Sequence, residues 1–325
     1  MLKAIDILPP RIFFNIYFLV LLVIIPAAII HTILIFADLE PSDKPQKKEL
    51  SPKGKKTFYV FIVLMVIIVS TSIGLRILKE NSFLNNAKEQ FEVNVNDEIS
   101  EKRVDSTLIE LEKQFERLRD KYLVTDVNEP ITIELFPDAD SLRAHTAIPS
   151  WGDACIVFES GNITISLPAE TPKDDALYKS AQEITPYPAH EIAHLIIYSK
   201  LGPDYKAVLP LWFNEGIAQY ESHRGFINRH RIGKRLGLWL INIYKPTLLE
   251  DGQFILYSTK YPSNDVDIYY VASFEFVRYI ESTHNDSIKN ILHRLAIGET
   301  FTSAFEEEIG EPVGDFYIKW YEYFF

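Results

Sequence analysis

The chain is poor in cysteine, with one, Cys155, in 325 residues. No internal disulfide can form, so the fold must hold without cross-links. The plain role for Cys155 is that of a small buried hydrophobe. Basic charge is also short, with 33 Lys and Arg against 45 Asp and Glu. The shortage lies after residue 80, where residues 81–325 carry 23 basic and 39 acidic side chains, a net −16. Such a surface repels phosphate backbones and anionic bilayers, which excludes nucleic acid as a partner. It favours solubility and, more weakly, basic substrates. There is no Gly-rich phosphate loop and no Gly-x-Ser-x-Gly nucleophile turn, and neither an internal repeat nor a low-complexity tract.

What is abundant near the start is apolar sequence. Ile12 to Phe36 and Thr57 to Leu75 contain no Asp, Glu, Lys or Arg. Each is long enough to cross a bilayer as a helix, so the expectation is two transmembrane helices at about 12–36 and 57–75. A cleaved signal peptide fits less well, because the first run exceeds a signal h-region and no small-x-small site follows it. Between the runs, residues 38–56 hold Lys44, Lys47, Lys48, Lys53, Lys55 and Lys56. A basic loop stays cytoplasmic, which places the downstream domain outside the membrane. The expected division is a membrane anchor at 1–80, a linker with an amphipathic helix at 81–124, and a domain at 125–325.

Residues 81–97 read as a flexible exit from the anchor. Val104, Leu108, Leu111, Phe115, Leu118 and Tyr122 then recur at steps of four and three, one stripe on a helix that packs on its own domain in preference to dimerising. Ile131 to Phe136 alternates and reads as a strand, and Cys155 to Phe158 and Asn162 to Leu167 read as two more. Ile163 to Leu167 is the candidate free edge for pairing with an extended peptide. From about Leu177 the pattern is helical, punctuated by Pro210, Pro246 and Pro262.

The segment His190-Glu191-Ile192-Ala193-His194 carries the chemistry. On a helix the two imidazoles lie one turn apart on one face, a spacing that suits one zinc ion, and Glu191 beside them is placed to polarise a water. A bare pattern of this kind arises by chance in about one such chain in a hundred, so the flanks matter. Ile192, Ala193, Leu195, Ile196 and Ile197 make the helix apolar and buried, and buried imidazoles and carboxylates need partners. Pro186 and Pro188 open the helix, with Thr185 as its cap, and Gly202 closes it. Glu215, in a second apolar segment that reads as helix, is the third ligand. Three protein ligands leave one position free, as a catalytic zinc requires.

Leu211-Trp212-Phe213-Asn214-Glu215-Gly216-Ile217-Ala218 resembles the second zinc motif of the gluzincin metallopeptidases, the clan of thermolysin and aminopeptidase N. There an Asn-Glu-Gly-x-Ala segment follows the paired histidines by about twenty residues, and its Glu binds zinc. Tyr270-Val271-Ala272-Ser273-Phe274-Glu275 resembles a downstream helix of bacterial peptidase MA-like domains. The resemblance implies that Tyr270, or else Tyr269, faces the zinc and stabilises an oxyanion. It covers about residues 125–325. Two departures stand out. The Gly-x-Met-Glu-Asn strand of aminopeptidases is missing, which removes support for amine-end specificity. Where thermolysin-like enzymes place an acid to orient a histidine stands Gln219, whose amide oxygen can accept an imidazole N–H.

The expectation is therefore an α+β, zincin-like domain with a small N-terminal β-sheet and a mainly helical C-terminal part, behind two transmembrane helices. Its activity is zinc-dependent peptide hydrolysis, with His190, His194 and Glu215 on Zn2+, Glu191 as base and Tyr270 on the oxyanion. Its substrate is a peptide or protein. The rival is a membrane-anchored binding or assembly protein that keeps the fold without turnover, against which Glu191 itself argues.

Overall fold

A computed structural model describes residues 52–96, 99–125, 127, 130–146, 148, 152, 154–159, 162–169, 187–222 and 264–324. The chain divides into two compact units, Met1–Arg76 and Ile77–Phe325. The elements in order are α1 (Pro52–Gln90), β1 (Phe91–Val95), α2 (Glu101–Tyr122), β2 (Ile131–Phe136), α3 (Ala139–His145), β3 (Cys155–Glu159), β4 (Asn162–Pro168), α4 (Tyr187–Leu201), α5 (Tyr205–Val208), α6 (Leu211–Glu221), α7 (Asn264–Thr283), α8 (Ser287–Ala296), α9 (Phe301–Ile309) and α10 (Val313–Phe324).

Two features of the expected fold class are corrected. The described residues are mostly helical, with one small four-stranded sheet, and do not balance helix and strand as an α+β class implies. The strands run only five to seven residues, and much of the core is helix on helix. Trp212 of α6 stacks on Phe276 of α7 and meets Phe301 of α9 edge-on. Nor are two transmembrane helices found. The first expected span, 12–36, lies outside the described residues. The second, 57–75, falls inside α1, which runs on without a break through Arg76, Lys79 and Glu80 to Gln90. Among the described residues no helix is long and apolar enough to cross a membrane.

The sheet order is β1-β2-β4-β3. β1 and β2 are parallel, as are β2 and β4, while β3 returns antiparallel to β4. β4, the expected free edge, is therefore an inner strand, and β3 holds the edge. β3 pairs antiparallel with β4 on one side and β2 pairs with it on the other, and the hydrophobic alternation of Ile163, Ile165 and Leu167 reflects a buried sheet face, not a free edge. Of residues 81–97, expected as a flexible exit, 81–90 complete α1 and 91–95 form β1, with Phe91 buried against Phe115 of α2.

Ile131, Ile133 and Leu135 of β2 share one sheet face with Ile163, Ile165 and Leu167 of β4, all at most 1 % exposed. The α2 stripe Leu108, Leu111, Phe115, Leu118 and Tyr122 joins the same core. α4 packs against α2, α6 and α8 and against β3 and β4. Placed so centrally, it must be largely apolar, and apart from His190, Glu191 and His194 its buried residues are aliphatic, aromatic or proline.

Candidate metal centre

Tyr187 through Tyr198 of α4 are all buried. Pro188 is tolerated because it stands in the first turn, where a backbone N–H has no helical partner. Gly202 ends the helix with φ +80, and its N–H donates to the Tyr198 carbonyl at 2.7 Å. One face of this helix carries His190 and His194, their rings edge to face with centroids 4.8 Å apart. α6 starts at Pro210, whose carbonyl accepts from the N–H groups of Phe213 and Asn214. Its second turn carries Glu215.

The three side chains converge. His190 Nε2 and His194 Nε2 are 3.2 Å apart, and each lies 3.5 Å from Glu215 Oε2. A tetrahedral zinc with bonds of about 2.1 Å has ligand–ligand edges of about 3.4 Å, so the triangle has the size that ion needs. Its chemistry fits too: two buried, neutral-capable nitrogens and one partly buried carboxylate, with a hydrogen-bond vacancy at Glu215 Oε2. Burial alone would lower the His194 pKa, but Glu215, with smaller help from the Glu191 charge and the Asn214 hydrogen bond, outweighs it and raises that pKa above the ordinary imidazole value. Burial alone would raise the Glu215 pKa, and the two imidazoles reverse it, holding the carboxyl well below its usual range. Without an ion the site thus keeps a proton of its own.

These residues open on a cavity of about 470 Å³. Glu191, buried at 4 % exposure, lines it. So does Tyr270 from α7, whereas Tyr269 is 2 % exposed and belongs to the core. Of the two tyrosines, only Tyr270 reaches the cavity. No family model and no curated protein matches this chain.

The close approach of α7 to α6 depends on Gly216. A Cβ there would lie 2.5 Å from Val277 Cγ2 and 2.6 Å from the Ser273 carbonyl oxygen. Gly216 follows Glu215 directly, so the same turn that offers a ligand also admits the helix that brings Tyr270.

Gln219 does not orient a histidine. Its Oε1 is buried and makes no hydrogen bond. Asn214 does the work instead, its Oδ1 accepting from His194 Nδ1 at 3.1 Å. That bond puts a ring proton on Nδ1 and leaves Nε2 facing the centre of the triangle. The sequence held the signal, an amide immediately before the third ligand, but no spacing rule points to it. Tyr205 was also missed. It lies on α5, lines the cavity, and is 4 % exposed. Burial, with Glu215 nearby, pushes its pKa up to about 12, so it stays a hydrogen-bond donor. Phe158 of β3 stacks on Tyr198 of α4 at 4.2 Å and meets Tyr205 edge-on, which ties the edge strand to the helix that carries the two histidines.

Cys155 lines the cavity from β3, half-buried. Burial, then the Glu191 charge, pushes its pKa up to about 11, so it is a neutral thiol. His145 bonds to its own helix through the Ser141 carbonyl, and His284 and His293 lie on α7's end and α8, away from the triangle. His223 and His230 lie outside the described residues. Glu221 is buried in an ionic cluster of its own.

Proposed function

We propose that the chain is a zinc-dependent peptidase, as its resemblance to the gluzincins implies. The observation that carries the reading is the triangle of His190, His194 and Glu215 donor atoms, 3.2 to 3.5 Å on a side, at the floor of a cavity also lined by Glu191 and Tyr270. Held in that triangle, zinc supplies Lewis acidity toward a carbonyl oxygen and toward water. Glu191 takes the proton of the attacking water and hands it to the leaving amine. Tyr270 donates its hydroxyl hydrogen to the oxygen on which charge develops. Asn214 holds the His194 tautomer throughout. The edge strand β3 lines the cavity with Cys155 and Ile156, beside the helix that carries Glu191. An extended peptide laid along that edge presents its backbone to the site at fixed register.

The test uses the full chain, a peptide mixture and zinc analysis. Purified parent protein holds one zinc per chain and cleaves, and a chelator stops it. Glu191→Gln retains the zinc and loses cleavage by a factor of about 10² or more. His190→Ala loses the metal. A Glu191→Gln protein that cleaves at the parent rate removes Glu191 as base, and a parent without zinc removes the reading.

A further inference from the structure

Glu221 is a buried charge at the wrong end of its helix. It closes α6, where exposed carbonyls already carry partial negative charge, so a carboxylate there is unfavourable unless cations meet it. α2 supplies them. Arg117 Nη1 and Lys121 Nζ each donate to the Glu221 carboxylate at 2.6 Å, and the Tyr122 hydroxyl donates at 2.6 Å. Arg117 Nη2 also donates to the Glu221 carbonyl at 3.0 Å, which satisfies the helix end itself. The carboxylate is 3 % exposed and Tyr122 is fully buried.

The same turn of α2 grips the other metal-bearing helix. Lys200, in the last turn of α4, donates to the Tyr122 carbonyl at 2.7 Å. At the opposite end of α2, Arg103 Nε donates to the Ala169 carbonyl just past β4. α2 ends with Leu123 at φ 55, a left-handed conformation that costs a non-glycine residue about 1 kcal/mol. The chain accepts that cost to stop the helix directly after the clamp.

Residues of two helices must agree in position to within tenths of an ångström for one ion to meet all three ligands. α4 brings two of those ligands and α6 the third, and both helices end on residues 117–122. We propose that the last turn of α2 sets the register between the paired histidines and Glu215, with Glu221 as the positioning residue that acts through α6 on the third ligand. This rests on the metal reading above. The amphipathic helix expected to pack on its own domain is then part of the metal centre's support.

Cobalt(II) is the probe, because the intensity and position of its visible bands report ligand geometry and its binding is read without any substrate. In full-length protein, Glu221→Gln remains folded by circular dichroism, binds cobalt at least tenfold more weakly than the parent, and shows an altered visible spectrum. A folded Glu221→Gln protein with the parent's affinity and spectrum, and only a lower thermal midpoint, overturns the positioning role. Two milder variants decide the matter if Glu221→Gln does not fold. Arg117→Lys keeps the charge and loses the bond to the helix-end carbonyl, and Lys200→Met releases α4 alone. Each weakens cobalt binding several-fold, and parent-like cobalt binding by both overturns the proposal. A parent that binds no cobalt overturns the metal reading itself, and that outcome is visible before any variant is made.

Discussion

Two imidazole nitrogens 3.2 Å apart cannot both present lone pairs to each other, so in the ion-free site one of them carries a proton. The raised pKa of His194, held up against burial by Glu215, makes that proton persist above the ordinary imidazole value. A metal must displace it. The sign follows directly: below the raised pKa, zinc binding releases a proton, and apparent affinity rises about tenfold per pH unit through the neutral range. Above the raised pKa the slope flattens. Calorimetry at pH 7 in buffers of different ionisation enthalpy should count about one proton released per zinc, and a count of zero would mean that the site is already deprotonated. The residues of this triangle were legible because helical periodicity alone puts His190 and His194 on one face, and Glu215 lies in an apolar segment of its own. Asn214, Tyr205 and the failure of Gln219 were not legible. Each depends on the rotation of α6 or α5 about its axis, which packing sets and spacing does not.

At the scale of the element, the crossing of α6 and α7 is the tightest constraint on the site. Gly216→Ala gains about 1 kcal/mol of helix propensity. Against it, the added methyl meets a backbone carbonyl at 2.6 Å that no side-chain rotation can relieve. Overpacking of this kind costs typically 1–3 kcal/mol, and separating the helices withdraws Tyr270 while leaving α4 in place. The expected protein has a lower thermal midpoint, near-parent zinc content and lost cleavage. Parent-like cleavage would show that α7 can yield without moving Tyr270. Element identity was readable for α2, whose stripe repeats at helical steps, and for β2, whose residues alternate. Strand order was not. Alternation shows that one face of Ile163–Leu167 is buried, but it does not say whether a neighbour lies on one side or on both, and pairing with β2 made it an inner strand. The helical C-terminal part was legible in the sequence; how far helix outweighs strand among the described residues was not. A handful of short strands leaves as clear a pattern as a large sheet, and only assembly shows how little of the core they cover.

For the whole molecule, two buried carboxylates on or against α2 pull stability in opposite directions with pH. Glu221 has its pKa lowered, burial being overcome by Lys121 and Arg117, so its contribution is present above the usual carboxylate range and is lost as pH falls through its folded value. Glu112 behaves the other way. It is 5 % exposed, its Oε2 has no hydrogen-bond partner, and burial followed by repulsion from Glu116 raises its pKa to about 7. In the unfolded chain it ionises near about 4.3. The folded state therefore holds a proton that the unfolded state has lost, and stability drains away between those two values as pH rises, by about 2 kcal/mol once solvent relaxation is allowed for. Glu112→Gln carries a neutral group at every pH. Its own buried amide shifts stability by a constant, so the difference between variant and parent is what changes with pH. Urea unfolding of the full chain at pH 4 and pH 8 should find the variant gaining on the parent by about 2 kcal/mol across that interval. A pH-independent difference would mean that Glu112 ionises in the folded protein as freely as in the unfolded chain, and that water reaches its side chain.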